Sequence, residues 1–96
     1  MTHFLIYTED KADSLHVRME AREAHLEWAL NHPTVKLISA GPWLDEAGDM
    51  RGSLLIVEGS DLKAVEAWLE DDPYNKAGLT AFRRVREFNW LLGAPA

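Results

Sequence analysis

Three side chains that could carry chemistry interrupt an apolar helix face predicted between residues 15 and 30: Arg18, Arg22 and His25. At about 100° per residue, Arg22 lies on that face and the other two lie along its edge. The apolar members of the face are Leu15, Met19, Leu26 and Leu30. Burying two guanidinium groups and an imidazole is costly unless each has a partner. The spacing therefore predicts that the three polar groups line a cavity in the fold.

His25 is the predicted general base of this cluster, because an imidazole can accept a proton near neutral pH. The alternative is a structural histidine at the core boundary that a neighbour satisfies. Arg22 and Arg18 are predicted to bind a carboxylate or enolate oxygen of a ligand, and Arg22 is preferred because it is central to the face. The alternatives are a salt bridge to an acidic side chain and, for Arg18, exposure to solvent.

The composition limits the class of protein. The chain has 96 residues, which fits a single domain over residues 1–96. A net charge of -6 and a pI near 5.1 argue against a nucleic-acid partner. There is no cysteine, and neither a basic leader nor an apolar run of membrane-spanning length occurs. We therefore expect a soluble, cytoplasmic protein with no membrane partner.

Apolar runs and the breaks between them predict six elements in the order strand, helix, strand, strand, helix, strand. The strands are predicted at residues 3–8, 35–40, 53–58 and, with broken alternation, 80–90. The first helix follows a cap at Asp13 or Ser14 and runs to about Asn31. The second is capped by Asp61 and ends at Asp71-Asp72-Pro73. A turn at residues 45–49 makes the second and third strands a hairpin.

This order predicts a ferredoxin-like βαββαβ fold of the α+β class, in which an antiparallel sheet carries two helices on one face. The strand segments at residues 4–7 and 54–57 are apolar at both odd and even positions, which face opposite sides of a sheet. The second face of the sheet therefore needs a cover. With only two helices available, the predicted cover is the sheet of a second subunit. We therefore expect a homodimer or larger homo-oligomer. Trp28 is expected to point away from the core face of its helix.

A set of motifs runs in order through nearly the whole chain: Ile6-Tyr7-x-x-Asp10-Lys11-Ala12-Asp13-Ser14, Arg18-x-x-x-Arg22-x-x-His25-Leu26, Ala40-Gly41-Pro42, Gly52-Ser53, and Asp71-Asp72-Pro73-Tyr74 with Ala77-Gly78. Together these motifs resemble the YciI-like (YCII-related domain) family. The resemblance implies a ferredoxin-like subunit that pairs into a dimeric α+β barrel. It also implies a cleft in which His25 and Asp72 are the catalytic pair. The few members with an assigned activity are dehydrohalogenases or lyases acting on products of aromatic breakdown.

Asp72 has two interpretations from the residues themselves. A carboxylate near a helix C-terminus meets the negative end of the dipole, which is unfavourable by about 0.3–1 kcal/mol, and such violations favour a functional site. Asp72 followed by Pro73 also has the form of an N-cap with proline at the first helical position, which would start a short turn through Ala77. The two roles are compatible, because a capping carboxylate can still fix the tautomer of His25.

Ser53 and Asp10 complete the predicted site. Ser53 follows Gly52 and is expected to line the substrate pocket, without the geometry for nucleophilic catalysis. Asp10, just beyond the first strand, is a second candidate partner of His25 and a candidate substrate-binding residue; its alternative is a solvated loop acid. The sequence has neither a His-x-x-x-His pair nor a cysteine pair, so we expect no metal site and no cofactor.

Two functions are compatible with these features. The first is a small cofactor-independent enzyme of the lyase, dehydrohalogenase or isomerase type, acting on a small carbonyl or hydroxy-aromatic-derived anion. In it His25, oriented by Asp72, removes a proton while Arg22 stabilises the developing oxyanion. The second is a noncatalytic small-anion-binding or interaction module that works as a homo-oligomer.

Overall fold

The computed structural model describes residues 2–95 and has the predicted order of elements. The strands are β1 (Thr2–Asp10), β2 (Lys36–Leu44), β3 (Met50–Gly59) and β4 (Thr80–Glu87), and the helices are α1 (Leu15–Leu30), α2 (Leu62–Glu70) and the single turn α3 (Pro73–Lys76). The strands form one antiparallel sheet in the order β2-β3-β1-β4. The fold is therefore the predicted ferredoxin-like α+β arrangement, with the helices on one face of the sheet.

Every strand boundary except the start of β4 differs from the prediction, and β1 and β3 extend beyond residues 3–8 and 53–58 at both ends. β2 continues past Ala40 to Leu44, because it stays paired with β3 as far as the turn at residues 45–49. β4 ends at Glu87 and not at Trp90, since among residues 2–95 only one further backbone hydrogen bond, from Phe88 N to His3 O, follows it. None of the helices between residues 2 and 95 is long and apolar enough to cross a membrane.

The core lies between the sheet and the helices. Alternate residues of β1 and β3 face the helices, and α2 supplies three almost fully buried side chains. Asp61 begins α2 as predicted, because its carboxylate accepts a hydrogen bond from Ala64 N at 2.8 Å. The buried cluster comprises Phe4, Ile6, Ala29, Val35, Leu55, Val57, Val65, Trp68, Leu69 and Val85.

Helix α1 turns a different face to the sheet from the one that its apolar residues predict. Arg18, His25 and Ala29 are its buried residues, whereas Arg22 is exposed. The predicted apolar face is 39–69% exposed at Leu15, Met19, Leu26 and Leu30. The predicted central position of Arg22 on the packed face is thus wrong. The polar residues can occupy the buried line because each has a partner on another element.

Trp28 also differs from the prediction. Its indole ring stacks on that of Trp68 with the centroids 4.1 Å apart, and it packs against the core cluster. The prediction took the leucine face as the inner one, so it placed Trp28 outside. Rotating the helix to bury Arg18 and His25 brings Trp28 against α2.

No helix among the described residues covers the second side of the sheet. We call this side the open face; its apolar members are Leu5, Tyr7, Trp43, Leu54, Ile56 and Phe82. Tyr7 stacks on Trp43 with the ring centroids 5.9 Å apart and meets the edge of Phe82 at 6.3 Å. Leu54 is 44% exposed. The strands are therefore apolar on both sides, as the sequence indicates.

Gly52 is fixed by the strands around it. Trp43 is its cross-strand partner and donates from Nε1 to the carbonyl oxygen of Thr8 at 2.8 Å. A Cβ atom on residue 52 would overlap both that oxygen and the indole nitrogen. Glycine is therefore needed here for close approach. Because successive residues of a strand face opposite sides, the next residue, Ser53, lies on the helix side of the sheet.

Candidate active site

His25 and Asp72 form a buried pair between α1 and the start of α3. His25 Nδ1 lies 2.8 Å from Asp72 Oδ1, and the two side chains are only 8% and 13% exposed. A carboxylate can only accept, so Nδ1 carries the proton of this bond. In the neutral imidazole, Nε2 is then the nitrogen with a free lone pair. This is the arrangement that a general base requires.

The same carboxylate oxygen also begins α3. Tyr74 N donates to Asp72 Oδ1 at 2.9 Å, and Asp72 is the N-cap of the helix with proline at its first position. The N-cap interpretation of Asp72 is thus confirmed. α2 ends at Glu70 with Asp71 as its C-cap, so Asp72 lies directly beyond that helix and at the favourable N-terminal end of α3. The carboxylate of Asp72 therefore caps α3 and pairs with His25 at the same time.

Arg18 is held by two other elements. Its Nε and Nη2 atoms donate to the two carboxylate oxygens of Asp10 at 2.7 and 2.9 Å, and Nη2 also donates to Ser53 Oγ at 2.9 Å. Burial lowers the pKa of Arg18, but the hydrogen bond and the charge of Asp10 outweigh burial and hold that pKa above its ordinary value. Arg18 therefore stays a cation inside the protein, and the carboxylate of Asp10 neutralises it.

Tyr74 is a site residue that the sequence reasoning missed. Its ring stacks on the imidazole of His25 with centroids 3.9 Å apart, and the guanidinium carbon of Arg18 lies 4.7 Å from the ring centre. Burial raises the pKa of the Tyr74 phenol, against the opposing charges of Arg18 and Arg22. The sequence feature that could have identified Tyr74 is its position two residues after Asp72, in a helix that starts at the cleft.

A cleft of about 170 Å³ opens beside this cluster. Its polar lining is Arg18, Arg22, His25, Ser53 and Tyr74. Its apolar side is formed by Leu26 of α1, Pro42 of β2 and two residues of β3, Met50 and Leu55. An apolar slot with a few convergent polar groups is the usual form of a small-molecule site.

The predicted site residues therefore fall into two connected sets and one isolated cation. His25 pairs with Asp72, Arg18 joins Asp10 to Ser53, and exposed Arg22 stands at the cleft with no ion-pair partner among residues 2–95. Asp10 lies against Arg18 and makes no hydrogen bond to His25. Over the same residues, no group of three or more His, Cys, Asp or Glu side chains converges as a metal site would require.

Comparison with known proteins places most of the chain beside one family. A family model described as the YCII-related domain matches residues 2–89. The protein YciI of Escherichia coli is 39% identical over 92 residues, which covers 88% of this chain and 94% of the relative.

Solved structures agree with the sequence comparison. A 5-chloro-2-hydroxyhydroquinone dehydrochlorinase from Burkholderia phenoliruptrix, in complex with 2,5-dihydroxybenzoquinone, is 35% identical with a TM-score of 0.76, and 95% of each chain is covered. An antibiotic biosynthesis monooxygenase has a TM-score of 0.60 at 11% identity, covering 96% of this chain and 100% of its own. The second likeness concerns the fold alone.

Proposed function

The chain belongs to the YCII-related domain family, and from this premise and the buried His25–Asp72 pair we propose that it is a small cofactor-independent enzyme. Its reaction is of the lyase, dehydrohalogenase or isomerase type, on a small carbonyl or hydroxy-aromatic-derived anion. The observation that carries the proposal is the 2.8 Å bond between His25 Nδ1 and Asp72 Oδ1, because it leaves Nε2 free to take a proton. The likeness to the dehydrochlorinase supports the substrate class.

The reaction begins when Nε2 of His25 takes a proton from the substrate. The electron pair left behind forms a new double bond, and in an elimination the leaving group, such as a halide, departs with its own electrons. Asp72 stabilises the imidazolium that forms, as the carboxylate of a His–Asp pair does. In an isomerisation the proton returns from His25 to a different atom. No redox step and no added group are needed for either outcome.

Arg22 supplies the attraction for an anionic substrate. It is exposed, lines the cleft and has no ion-pair partner among the described residues, so its charge is available to a ligand. The apolar side at Leu26, Pro42 and Met50 suits a flat ring, and the polar end at His25 suits the oxygens of that ring.

The working unit of the proposed enzyme is a homo-oligomer in which two open faces pack together. The open face carries a cluster of aromatic and aliphatic side chains, including the stacked Tyr7 and Trp43 and the exposed Leu54. An uncovered apolar sheet surface of this kind favours association, and a self-complementary contact between two copies is the common solution. Such packing would form the dimeric α+β barrel that the resemblance to the YCII-related domain family implies.

The second candidate function is a noncatalytic module that binds a small anion. The observation that favours it is also Arg22, since an unpaired guanidinium at an apolar cleft can hold a carboxylate or phenolate without any chemistry following. The two functions differ in the role of His25, because the enzyme needs it to accept a proton from the substrate and the binding module does not.

Chloride release from 5-chloro-2-hydroxyhydroquinone tests the proposal, with spontaneous release measured without protein. We expect His25→Gln to slow the protein-dependent rate by about 10²–10⁴-fold, the range for loss of a general base. His16→Gln is the matched control, because His16 is an exposed histidine on the same helix. An unchanged rate in His25→Gln would exclude His25 as the base. Binding of 2,5-dihydroxybenzoquinone without any chloride release would favour the noncatalytic module.

A further inference from the structure

We propose that the Ser53 hydroxyl is the hydrogen-bond donor to the substrate oxygen on which negative charge develops, and that Arg18 is a positioning residue that acts through Ser53. The inference rests on the function proposed for this cleft and assigns its oxyanion site. The ligand class is a small planar compound with a carbonyl, enolate or phenolate oxygen. It gives the two arginines different roles, whereas the sequence predicts that both bind an anion and prefers Arg22.

The first step concerns the direction of the hydrogen bonds. A guanidinium has no acceptor, so Ser53 Oγ must be the acceptor in its 2.9 Å bond with Arg18 Nη2. A hydroxyl has one hydrogen to donate, and Ser53 Oγ has no other hydrogen-bond partner among residues 2–95. That hydrogen is therefore available to a third group. Ser53 is 95% buried and lines the cleft, so a ligand in the cleft can be that group.

The second step concerns the charge of Arg18. Both oxygens of Asp10 accept from Arg18, and the two side chains are 4% and 5% exposed. A ligand anion placed against this guanidinium would also meet the nearby carboxylate, which would repel it. Both hydrogens of Nη2 are occupied, one by Asp10 and the other by Ser53. Arg18 can still polarise the Ser53 hydroxyl, because a bond accepted from a cation makes the remaining O–H a stronger donor.

The third step concerns the backbone of Ser53. Its own N–H donates to Thr8 Oγ1 at 2.9 Å, and the preceding Gly52 fits tightly against Thr8 and Trp43. The hydroxyl is thus fixed from two directions, through the main chain by Thr8 and through the side chain by Arg18. A donor that is oriented before the ligand arrives stabilises a developing oxyanion without reorganising. His25 lines the same cleft and would remove the proton, while Ser53 would hold the oxygen.

Equilibrium titration with 2,5-dihydroxybenzoquinone, and separately with acetate as a simple carboxylate, tests the inference. We expect Ser53→Ala to weaken binding by about 10- to 100-fold, as for loss of one hydrogen bond to a charged group. Ser53→Thr keeps a hydroxyl and should restore most of the affinity. Ser60→Ala is the control, because Ser60 is exposed and outside the cleft. Circular dichroism and thermal melting confirm that each variant is folded.

A double-mutant cycle separates a positioning role for Arg18 from direct contact with the ligand. Arg18→Lys keeps a cation beside Asp10 but loses the fork that reaches Ser53. If Arg18 acts through Ser53, Arg18→Lys weakens binding in the native background and has little effect in the Ser53→Ala background. An equal loss in both backgrounds would assign the ligand contact to Arg18 itself and overturn the inference.

The remaining outcomes are also decisive. If the unsubstituted protein binds either probe and releases chloride, and Ser53→Ala binds that probe within twofold, the inference is wrong while the proposed function stands. If the unsubstituted protein binds neither probe and releases no chloride, the proposed function is wrong and the inference fails with it.

Discussion

The imidazole of His25 and the phenol ring of Tyr74 stack 3.9 Å apart, and both residues are bound to one oxygen of Asp72. The tautomer of the histidine and the start of α3 therefore depend on the same atom. A movement of α3 would shift the ring that covers His25 and the carboxylate that orients it. The four-residue helix is thereby part of the site as well as a connection between α2 and β4.

The double role of Asp72 can be separated by substitution. Asparagine is also a good N-cap, so Asp72→Asn should keep α3 and most of the stability while losing the charge that stabilises an imidazolium; we expect about 10²–10⁴-fold lower chloride release. Asp72→Ala loses the cap as well and should cost about 0.5–2 kcal/mol of unfolding free energy. Denaturant titration and the rate assay check the two effects.

Asp61 provides the matched control for capping. It caps α2 through Ala64 N and lies outside the cleft, so Asp61→Ala should lower stability by a similar amount without affecting the reaction. If Asp61→Ala slowed the reaction as much as Asp72→Asn, the effect would reflect stability and not the pairing with His25.

The order of elements could be predicted from the sequence because it depends on local signals. Alternating apolar runs, the capping Asp61 and the proline after Asp72 each act over a few neighbouring residues, and the structure has the elements that they indicate. The ends of β2 and β4 could not be predicted from such local signals, because they depend on which residues the neighbouring strands can pair with.

The orientation of α1 could not be predicted in the same way. An apolar pattern predicts the buried face of a helix only if the polar residues of that helix lack partners. The partners of Arg18 are Asp10 and Ser53, which lie 8 and 35 residues away in the chain. Spacing within the helix carries no information on those pairs. Tyr74 was missed for the same reason, since its stacking on His25 joins elements that are distant in the chain.

Alkaline pH should destabilise the protein through Tyr74. Burial raises the pKa of this phenol, so folding favours its protonated form. The contribution of the protonated phenol to the free energy of unfolding is fully present below the pKa of tyrosine in the unfolded chain, about 10. It is lost as the pH rises through the higher pKa of Tyr74 in the folded protein. Tyr74→Phe should therefore stay folded to higher pH than the unsubstituted protein, as followed by circular dichroism.

Tyr7 is the only other tyrosine and serves as the comparison. Its pKa is raised by the hydrogen bond that it donates to Glu9, and its phenol is outside the cleft. In Tyr7→Phe the ultraviolet absorbance of phenolate reports Tyr74 alone. If Tyr74 in that variant titrated like free tyrosine while the protein stayed folded, the role of burial would be excluded.

The open face predicts a concentration-dependent assembly. A carboxylate at Leu54 would be desolvated between two sheets, so Leu54→Asp should convert the oligomer into monomers at micromolar concentration and lower the melting temperature. Leu62→Asp is a matched control, because Leu62 is 43% exposed against 44% for Leu54 but lies at the start of α2 on the opposite side. Light scattering gives the mass of each variant. A monomeric unsubstituted protein, or dissociation by both substitutions, would contradict the proposed pairing.

The two arginines of the cleft should respond differently to removal. Arg18→Ala leaves the carboxylate of Asp10 buried without its partner, and breaking such a pair costs about 3–5 kcal/mol of unfolding free energy. Arg22→Ala removes an exposed cation that has no ion-pair partner among residues 2–95, so stability should change by less than about 0.5 kcal/mol. Its effect should instead be on anion affinity, a loss of about 1.5–3 kcal/mol that shrinks as salt is added. Denaturant titration and ligand titration at two ionic strengths measure both quantities. Equal losses of stability in the two variants, or an Arg22→Ala effect on affinity that does not change with salt, would contradict these separate roles.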